Sequence, residues 1–497
     1  MIKYNKNDKN DITRYAKELV GLSFKEIIIN YNKRNGYHDY VIEDDNHKGQ
    51  LGHILEKYYF EYKINNDSSP DFESAELELK TTGLIKDSKN ILKAKERLVI
   101  SMIPYDKPIS PNIENSELFN KLKAMLLVMY LYEGKNINKL DYRIKYVQLI
   151  ELLNEEFKND YLIIKDDYSF IANMIISGNA HKLSESLTTY LGACTKGKDK
   201  KSSLRPQYYN KTVPAQKRAF SLKQGYINYV IQKFIYGSEY VSEKYEKIIK
   251  NKSELKTHTF NNIVLEKLEK FYGWSVEDLC SKFNLEKNNV KNINNLIVNN
   301  ILGIKSNMAE EFVKADVVVK TIRLDKNKEI RESMSFPTIK FKEFTETSYK
   351  NSFIYQYFSE KKFLFVIFQQ KDNGEYYLKS AMFWNMPYND LELEMKKEYE
   401  FYRRHINSGV KFKIENGIVK NSLPKKVDTR IIHLRPHSAK SYYIIDGKAI
   451  GNGKISDSDI LPNGNWMTKQ CFFLNNSYVK EQIKIAFIKN AEEKKWN

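Results

Sequence analysis

The sequence predicts an α/β protein that contains two copies of one domain. Three observations lead to this fold class: helical periodicity before residue 60, apolar strand segments after residue 76, and ordered echoes between the two halves of the chain. A chain of 497 residues is long enough for two or more domains, each with its own core.

The first 60 residues predict helices. Apolar residues recur at helical spacing through residues 11–31, and the pattern breaks at Gly21. Ser23 has Glu26 three residues later, which predicts a capping box at the start of the next helix. A further helix is predicted over residues 48–59, with a glutamate, Glu56, inside it.

The segment from Glu76 to Lys80 predicts a β-strand. Glu76, Glu78 and Lys80 alternate with Leu77 and Leu79, and this period of two is typical of an extended chain. We therefore expect Glu78 and Lys80 to point to one face of a sheet, while the leucines point into a core.

Asp71 gives this strand a chemical interpretation. It follows Pro70 on a predicted turn and precedes Glu78 by seven positions. Two carboxylates at one end of a sheet suit Mg²⁺, and the Lys80 ammonium can orient a water and stabilise charge on phosphorus. Phosphodiester-cleaving sites of the PD-(D/E)xK kind are built in this way. A solvated strand face gives the same alternation, so the motif alone leaves both interpretations open.

The elements that follow are predicted from the same periodicities. Residues 97–103 and 124–132 are apolar strand candidates, and residues 140–157 predict a charged helix. Residues 217–226 run into an amphipathic helix, and residues 242–256 predict a charged helical connector.

Composition favours a polyanionic partner. Lys and Arg number 81 against 63 Asp and Glu, and the resulting formal net charge of +18 points to nucleic acid. A base-composition bias of the genome is the alternative explanation of this surplus.

Several classes of protein are disfavoured. Three dispersed cysteines indicate neither a disulfide framework nor a Cys-type zinc site. No GxxxxGK[ST] loop is present, so no NTP is expected. No secretory signal is recognisable, and the longest apolar run, near residues 124–130, is too short to span a bilayer. We expect a soluble, cytoplasmic bacterial protein that makes no membrane contact.

The second half of the chain repeats the first. Three segments echo one another in the same order: residues 272–279 with 20–27, 312–321 with 72–81, and 469–478 with 217–226. The predicted domains are therefore 1–240 for a catalytic copy, 241–261 for a helical linker and 262–497 for a second copy.

The second copy has lost most of the acidic cluster, with Glu311 as a weak retention of Asp71. Where the first copy has a catalytic candidate, the second has a different side chain: Val318 for Glu78, Glu311 for Asp71, Asn299 for Glu56, and Tyr357-Phe358 for the Lys121 region. A domain that keeps its fold while losing this cluster is predicted to bind DNA or to regulate the first copy.

Three ordered motifs of the first copy resemble those of MutH, the mismatch-repair nicking endonuclease. They are Lys48-Gly49…Gly52…Leu55-Glu56, then Asp71-x6-Glu78-Leu79-Lys80-Thr81, then Lys121-Leu122-Lys123. The duplicated layout resembles still more closely the two-domain type II restriction endonucleases of that family, which cut GATC. The segments that carry this closer match are residues 187–197, 218–223, 332–336, 435–437 and 466–470.

The resemblance implies two tandem restriction-endonuclease-like (MutH-like) domains, each a mixed sheet flanked by helices. It also implies a bound Mg²⁺, held by Asp71 and Glu78 together with the Leu79 carbonyl. Three further catalytic residues are implied: Lys80 to position the attacking water, Glu56 to support the metal or that lysine, and Lys121 to contact the scissile phosphate or assist Lys80. Lys123 is equally basic and stays an alternative to Lys121. The implied cut lies before the G and leaves a 5′-phosphate.

DNA contacts are expected from both copies. Arg435-Pro436 resembles the Arg-Pro loop with which MutH reads bases, and residues 179–182 lie near that position in the first copy. A basic loop, residues 195–206, has the composition of a phosphate contact. Ser221 stands where MutH has a tyrosine, so the sensing of adenine methylation is open. The predicted DNA-binding residues are Lys48, Gly49, His181, Lys182, Thr195, Lys196, Arg205, Lys217, Lys223, Arg435 and Lys469.

The implied function is that of a type II restriction endonuclease that makes Mg²⁺-dependent double-strand breaks at GATC. One active site per chain predicts that two chains meet on DNA, and a cognate DNA methyltransferase is expected in the same system. A strand-nicking repair endonuclease and a non-catalytic DNA-binding protein are the alternatives. The complete catalytic set in the first copy speaks against the non-catalytic alternative.

Overall fold

The computed structural model describes residues 4–37, 49–62, 69–197, 203–286, 292–306 and 308–493. The chain divides into two compact units, Met1–Ile263 with Gly303–Val317, and Val264–Leu302 with Val318–Asn497. Residues 303–317 thus belong to the first unit, although the sequence assigns them to the second copy, and the predicted linker 241–261 is also part of the first unit.

Helices occur in both units. The α-helices of the described residues are α1 (Lys9–Ala16), α2 (Phe24–Arg34), α3 (Gln50–Ile54), α4 (Glu117–Leu122), α5 (Lys158–Ile176), α6 (Gln224–Lys244), α7 (Phe260–Glu269), α8 (Val276–Lys282), α9 (Ile293–Leu302), α10 (Glu310–Ala315), α11 (Phe341–Glu346), α12 (Phe353–Glu360), α13 (Met395–Asn407) and α14 (Asn476–Glu493). Two π-helical turns, Leu55–Tyr59 and Asp390–Glu394, continue α3 and precede α13. Within the described ranges, no helix is both long and apolar enough to cross a membrane.

Strands occur throughout both units. Those of the first half are β1 (Glu78–Lys86), β2 (Leu92–Ala94), β3 (Leu98–Met102), β4 (Ala124–Leu131), β5 (Ile144–Glu151), β6 (Leu191–Thr195), β7 (Leu204–Arg205), β8 (Ala215–Gln216) and β9 (Arg218–Leu222). Those of the second half are β10 (Val317–Leu324), β11 (Met334–Thr338), β12 (Lys362–Gln370), β13 (Tyr376–Trp384), β14 (Phe412–Glu415), β15 (Ile418–Asn421), β16 (Ile432–Pro436), β17 (Tyr443–Ile445), β18 (Lys448–Ile450), β19 (Ser458–Ile460), β20 (Trp466–Thr468) and β21 (Gln470–Leu474). The predicted strands at 97–103 and 124–132 are confirmed as β3 and β4.

The first unit contains the mixed sheet that the resemblance implies. Its strand order is β2-β1-β4-β5, with β1 and β4 parallel and the outer pairs antiparallel. A second sheet, β3-β9-β6, is antiparallel throughout. Apolar residues of α1, α2 and α3 share a core with β1 and β4 that includes Phe24, Leu55, Leu79 and Leu126.

The second unit repeats the order of both sheets. Strands β10-β12-β13 follow the order of β1-β4-β5, and the antiparallel sheet β11-β21-β16 follows that of β3-β9-β6. Two small antiparallel sheets, β14-β15 and β18-β17-β20-β19, are further parts of the second unit. The repeated order is what a duplicated domain predicts.

An early helix of each copy, α2 in the first and α8 in the second, begins with the same capping arrangement. Ser23 and Glu26 form the predicted capping box, in which the side chain of each accepts a hydrogen bond from the backbone N–H of the other. Ser275 and Asp278 form the equivalent box at the start of α8. A glycine with positive φ lies two residues before each serine, a conformation that favours glycine.

Residues 140–157 are not a helix, which corrects the prediction. Ile144–Glu151 form β5, which pairs antiparallel with β4 along its length. Ile144, Val147 and Ile150 are buried and recur every three residues, which imitates helical periodicity. Pairing with β4 gives the backbone its hydrogen bonds in the extended form, and this long-range partner decides the conformation.

The predicted helical connector over residues 242–256 is also interrupted. Helix α6 ends at Lys244, and Glu246 then forms an isolated parallel bridge with Ala309. A short 3-10 turn follows at Lys252–Lys256. Pairing with a segment sixty residues further on replaces the helix that the charge pattern predicts.

A buried carboxylate holds the start of an equivalent strand in each unit. Asp167 of α5 accepts hydrogen bonds from three consecutive N–H groups, those of residues 189–191, at 2.7, 2.5 and 2.9 Å. Glu398 of α13 accepts from the N–H groups of residues 430–432 at 2.6, 3.0 and 2.8 Å. In each case the third N–H belongs to the first residue of the strand, β6 or β16, so the two carboxylates occupy equivalent positions. We call each of them a carboxylate brace.

Buried charges fix residues 303–317 in the first unit. Lys314 Nζ lies 2.8 Å from Asp160 Oδ1 of α5 and 2.7 Å from Glu310 Oε1. The exposed fractions of these side chains are 4%, 9% and 9%, so each charge depends on the others for compensation. This cluster explains why the segment packs with the first unit and not with the half of the sequence to which it belongs.

Candidate active site

The predicted carboxylates lie at the edge of the mixed sheet where β1 and β4 begin. Glu78 is the first residue of β1 and lies in register with Met125 of β4. Because these strands are parallel, the residues that precede them meet at one edge of the sheet. Lys121, in the last turn of α4 just before β4, therefore lies beside Glu78.

Asp71 and Glu78 are joined through backbone hydrogen bonds. Asp71 Oδ2 accepts from the Leu79 N–H at 2.8 Å, and Glu78 Oε2 accepts from the Asp71 N–H at 3.3 Å. An isolated antiparallel bridge between Phe72 and Leu77 closes the loop between them. The seven-residue spacing thus forms a tight loop that brings two carboxylates into one site.

Two lysine ammonium groups compensate the charge of Glu78. Lys80 Nζ lies 2.5 Å from Glu78 Oε1, and Lys121 Nζ lies 3.3 Å from both carboxylate oxygens. The Glu78 side chain is 2% exposed, so its charge is buried and needs these partners. The structure thus brings together Glu78, Lys80 and Lys121, three of the five predicted catalytic residues.

The position of Lys121 separates it from Lys123. Lys123 Nζ lies 2.7 Å from Glu76 Oε1, and the Glu76 side chain is 67% exposed. Lys121 belongs to the last turn of α4, whereas Lys123 follows the helix and pairs with an exposed glutamate outside the carboxylate pair. Of the two lysines, Lys121 is therefore the one placed against the carboxylate site.

Glu56 lies within electrostatic reach of this cluster. It belongs to the π-helical turn Leu55–Tyr59, and such turns are frequent at functional sites. Burial raises the pKa of the Glu56 carboxyl against the lowering effect of Lys80, and Glu78 raises it while Lys121 lowers it. The pKa of Glu56 thus responds to Glu78 and to both lysines, which agrees with the supporting role that the resemblance implies.

Asp71 is a carboxyl whose ionisation the fold opposes. Burial raises its pKa to about 6, and Glu78 adds to the rise, whereas Lys80 and the Leu79 N–H lower it. Glu56 raises it further. A divalent cation bound between the carboxylates would compensate these like charges.

The donors of the site fit a small, hard cation. Asp71 and Glu78 offer carboxylate oxygens, and the Leu79 carbonyl is the neighbouring backbone oxygen. In the described part of the chain, no three or more Asp, Glu, His or Cys side chains gather as a metal cluster. Mg²⁺ suits such a sparse set, because it keeps several waters and takes substrate phosphate oxygens. The set contains no thiolate or imidazole of the kind that zinc sites use.

The counterpart residues in the second half have other partners. The Glu311 carboxylate accepts from the N–H groups of residues 248 and 249 at 2.9 and 3.0 Å, a structural role in the first unit. Val318 packs against the core of the second unit. Lys320 Nζ lies 5.9 Å from the centre of the Phe336 ring, and burial lowers its pKa. The carboxylate pair is therefore not reproduced, and Lys320, the counterpart of Lys80, lies against an aromatic ring instead.

Six of the predicted DNA contacts gather beside the second sheet of the first unit. The Lys196 N–H donates to the Lys217 carbonyl at 2.9 Å, and β7 pairs with β8 alongside. Gln207, which follows β7, accepts from the Ala180 N–H at 3.1 Å and so attaches the turn at 180–182. The six residues are His181, Lys182, Thr195, Lys196, Arg205 and Lys217.

The remaining predicted contacts of the first unit are placed differently. Gly49 is the N-cap of α3, and Lys48 lies outside the described residues. Lys223 is 1% exposed, and its ammonium donates to the carbonyl oxygens of Thr188 and Ala315 at 2.7 and 3.3 Å. This buried position is incompatible with a surface contact to DNA, so Lys223 is withdrawn from the predicted set.

Arg435 and Lys469 lie at the end of the sheet β11-β21-β16 of the second unit. The Arg435 side chain is exposed, and its guanidinium lies 4.9 Å from the centre of the Phe473 ring. The Lys469 carbonyl accepts from the His437 N–H at 2.9 Å, which joins the two segments. Stacking on an aromatic ring limits the freedom of the guanidinium fork, which favours directional recognition.

Strand register corrects the counterpart of Arg435-Pro436 in the first unit. Arg435 pairs with Cys471 of β21, and Cys194 pairs with Ala219 of β9. Because residues 469–478 echo residues 217–226, these pairs are equivalent. The first-unit counterpart of the Arg-Pro segment is thus Cys194-Thr195, and residues 179–182 form a separate turn.

Comparison with known proteins agrees with the fold and with the class of enzyme. The family model described as "DNA mismatch repair enzyme MutH" matches residues 60–167, a stretch that includes Asp71, Glu78, Lys80 and Lys121. The type II restriction enzyme Sau3AI of Staphylococcus aureus is 33% identical over 463 residues, which cover 88% of this chain and 92% of that protein. The fold and the site define a site-specific deoxyribonuclease. The chain belongs to the MutH-related family of type II restriction endonucleases, whose substrate is DNA.

Sequence reasoning missed two features near the site. The ion pair between Lys123 and Glu76, and the half-buried side chain of Tyr62 with its buried hydroxyl, arise from the folding of the loop around Asp71. Neither belongs to a periodic pattern or a spaced motif, so no signal in the sequence marks them.

Proposed function

We propose that the protein makes Mg²⁺-dependent double-strand breaks in DNA at GATC, with the cut before the G. The observation that carries this proposal is the single site in which Asp71, Glu78, Lys80 and Lys121 converge at one sheet edge. The relation to a type II restriction enzyme supports cleavage, and the resemblance of the motifs supports the GATC target.

The side chains of the site have separate roles in the proposed phosphodiester hydrolysis. Mg²⁺, when bound, supplies a Lewis acid that stabilises charge on the phosphate. Asp71 and Glu78 hold the ion with the Leu79 carbonyl. Lys80, 2.5 Å from Glu78, orients the water that attacks phosphorus in line. Lys121 approaches Glu78 from the other strand and contacts the scissile phosphate.

Glu56 completes the proposed set. Its carboxyl is partly buried and coupled electrostatically to Lys80. We assign it to the support of the metal and of Lys80, because it holds negative charge on the side of the cluster formed by the π-helical turn.

The second unit is proposed as a DNA-binding unit without its own catalysis. Its counterpart positions carry Val318 and a lysine packed on an aromatic ring, while Arg435 is exposed and stacked on Phe473. Because each chain has one active site, we expect two chains to act together on the DNA to cut both strands. A methyltransferase that protects GATC in the host would accompany the enzyme.

The first experiment is cleavage of unmethylated plasmid with several GATC sites by the full chain. We expect double-strand breaks at every GATC with Mg²⁺, none with EDTA, and none with Glu78→Ala. Mapping the ends gives the cut position and the 5′-phosphate. Cleavage that persists in Glu78→Ala would overturn the assigned site.

Other outcomes identify the alternatives. Nicks without double-strand breaks would support a strand-nicking repair endonuclease, and binding without any break would support a DNA-binding protein. Plasmids with one and with several sites test the role of the second unit. In the second unit, Arg435→Ala should slow cleavage of these plasmids. The control is Arg404→Ala, which changes an exposed arginine on α13.

A further inference from the structure

Tyr62 presents an unusual hydroxyl beside the carboxylate site. Its phenolic oxygen is buried and has no hydrogen-bond partner among the described residues. Leaving a buried donor unpaired costs about 1–3 kcal/mol, and native proteins keep few such groups. We therefore expect an unpaired hydroxyl beside a functional site to gain its hydrogen-bond partner when a ligand binds there.

The ring of Tyr62 is held in a defined position. Its backbone N–H donates to the Glu56 carbonyl at 3.2 Å, which ties it to the end of the π-helical turn. Its ring packs edge-on against Phe72 at a centroid distance of 5.1 Å and lies 6.5 Å from the Phe60 ring. Phe72 directly follows Asp71, so the ring is fixed next to a predicted metal ligand.

The charged groups that act on the Tyr62 hydroxyl are carboxylates, which can only accept hydrogen bonds. Burial raises the pKa of Tyr62, and the carboxylates of Asp71, Glu56 and Glu78 raise it in that order. The phenol therefore keeps its proton and acts as a donor. Three carboxylates act on the hydroxyl electrostatically, but it bonds directly to none of them.

We propose that Tyr62 is a positioning residue of the magnesium site, whose hydroxyl donates to a water of the ion's hydration shell beside Asp71 and Glu56. Mg²⁺ binds with several of its waters retained, so a site built on carboxylates needs hydrogen-bonding groups that orient these waters. Outer partners of this kind typically change metal affinity by about 10–100-fold. This inference rests on the proposed Mg²⁺ site and adds a residue to it.

The test compares Tyr62→Phe with Tyr105→Phe in the full chain. Tyr105 is the matched control, because its buried hydroxyl also has no partner, while the titratable groups that act on it are Arg218 and Cys194 instead of the carboxylates. Each variant removes one oxygen and keeps the ring. The first readout is the rise of the unfolding temperature when Mg²⁺ is titrated into the protein without DNA.

For Tyr62→Phe we expect the half-saturating Mg²⁺ concentration to rise by about tenfold or more, while Tyr105→Phe titrates like the unchanged protein. In EDTA both variants should unfold at the same or a higher temperature, since each loses an unpaired buried donor. The Mg²⁺ concentration for half-maximal cleavage should rise in parallel, with an unchanged KM for DNA at saturating Mg²⁺.

Two results would overturn the inference. The first is a Tyr62→Phe protein that titrates with Mg²⁺ like the unchanged protein. The second is a Tyr62→Phe protein that unfolds at a lower temperature in EDTA, which would indicate a structural role. The proposed function fails separately: in that case the unchanged protein itself shows neither Mg²⁺-dependent stabilisation nor Mg²⁺-dependent cleavage.

Discussion

At the scale of single residues, Asp71 determines how the site responds to pH. Its carboxyl has an ordinary pKa of 3.8 that the fold raises to about 6, chiefly by burial and by Glu78. A raised pKa means that the folded chain binds the proton more tightly than the unfolded chain does. The folded state is thus favoured at low pH, and this advantage is lost as pH rises from about 4 to about 6.

Asp71→Asn should consequently stabilise the metal-free protein above pH 6. In EDTA at pH 8 we expect its free energy of unfolding to exceed that of the unchanged protein by on the order of 2 kcal/mol, because the buried charge is gone. The difference should narrow towards pH 4. Urea unfolding at both pH values measures it, and a destabilised Asp71→Asn at pH 8 would contradict the assignment.

Lys121 and Lys123 provide a second comparison at this scale. Lys121→Ala should slow DNA cleavage by about 100-fold or more, since Lys121 is placed against Glu78 to stabilise charge on the phosphate. Lys123→Ala should stay within a few-fold, because Lys123 pairs with the exposed Glu76. Single-turnover cleavage rates give the answer, and equal losses in both variants would show that the distinction is wrong.

At the scale of elements, local patterns predicted the helix start at Ser23 correctly but mistook the strand β5 for a helix. The capping box at Ser23 depends on residues three apart, and the structure confirms it. The β5 strand depends on pairing with β4, a partner that the local sequence does not contain. Local hydrogen bonds are encoded within a few residues, whereas sheet pairing is decided by distant ones.

The carboxylate braces of α5 and α13 belong to this scale too. Asp167→Ala should lower the free energy of unfolding by about 3 kcal/mol, because it leaves three buried N–H groups without their acceptor. Asp167→Asn should cost less, since an amide oxygen still accepts. Equilibrium unfolding in urea compares the two variants.

Glu398→Ala tests the equivalent brace in the second unit. We expect a loss of similar size, because the N–H groups of residues 430–432 lose the same kind of acceptor. Unchanged stability in both alanine variants would mean that water replaces the carboxylates and that the braces are not structural.

At the scale of the whole molecule, the two compact units do not follow the two halves of the sequence. Residues 303–317 pack in the first unit through the buried cluster of Lys314, Asp160 and Glu310. The segment that corresponds by sequence to the catalytic loop of the first copy therefore has a structural role. Removing all residues after 262 would also remove this cluster's lysine and leave Asp160 buried without it.

Lys314→Met should destabilise the first unit by about 3–5 kcal/mol, since two buried carboxylates lose their cation. Lys305→Met changes an exposed lysine of the same segment and should have little effect. The measurement is the unfolding temperature of the full chain together with the half-life of its nuclease activity. Equal behaviour of the two variants would contradict the role of the cluster.

The sequence by itself determined the catalytic motif, the duplication and the family, because these depend on residue types at fixed spacing. Asp71, Glu78 and Lys80 lie within ten residues, so the turn and strand between them limit how far apart they can be. The tertiary structure alone distinguished Lys121 from Lys123, buried Lys223, and gave Arg435 its true counterpart in β6. These outcomes depend on parallel strand pairing, burial and register, which are interactions between segments far apart in the chain.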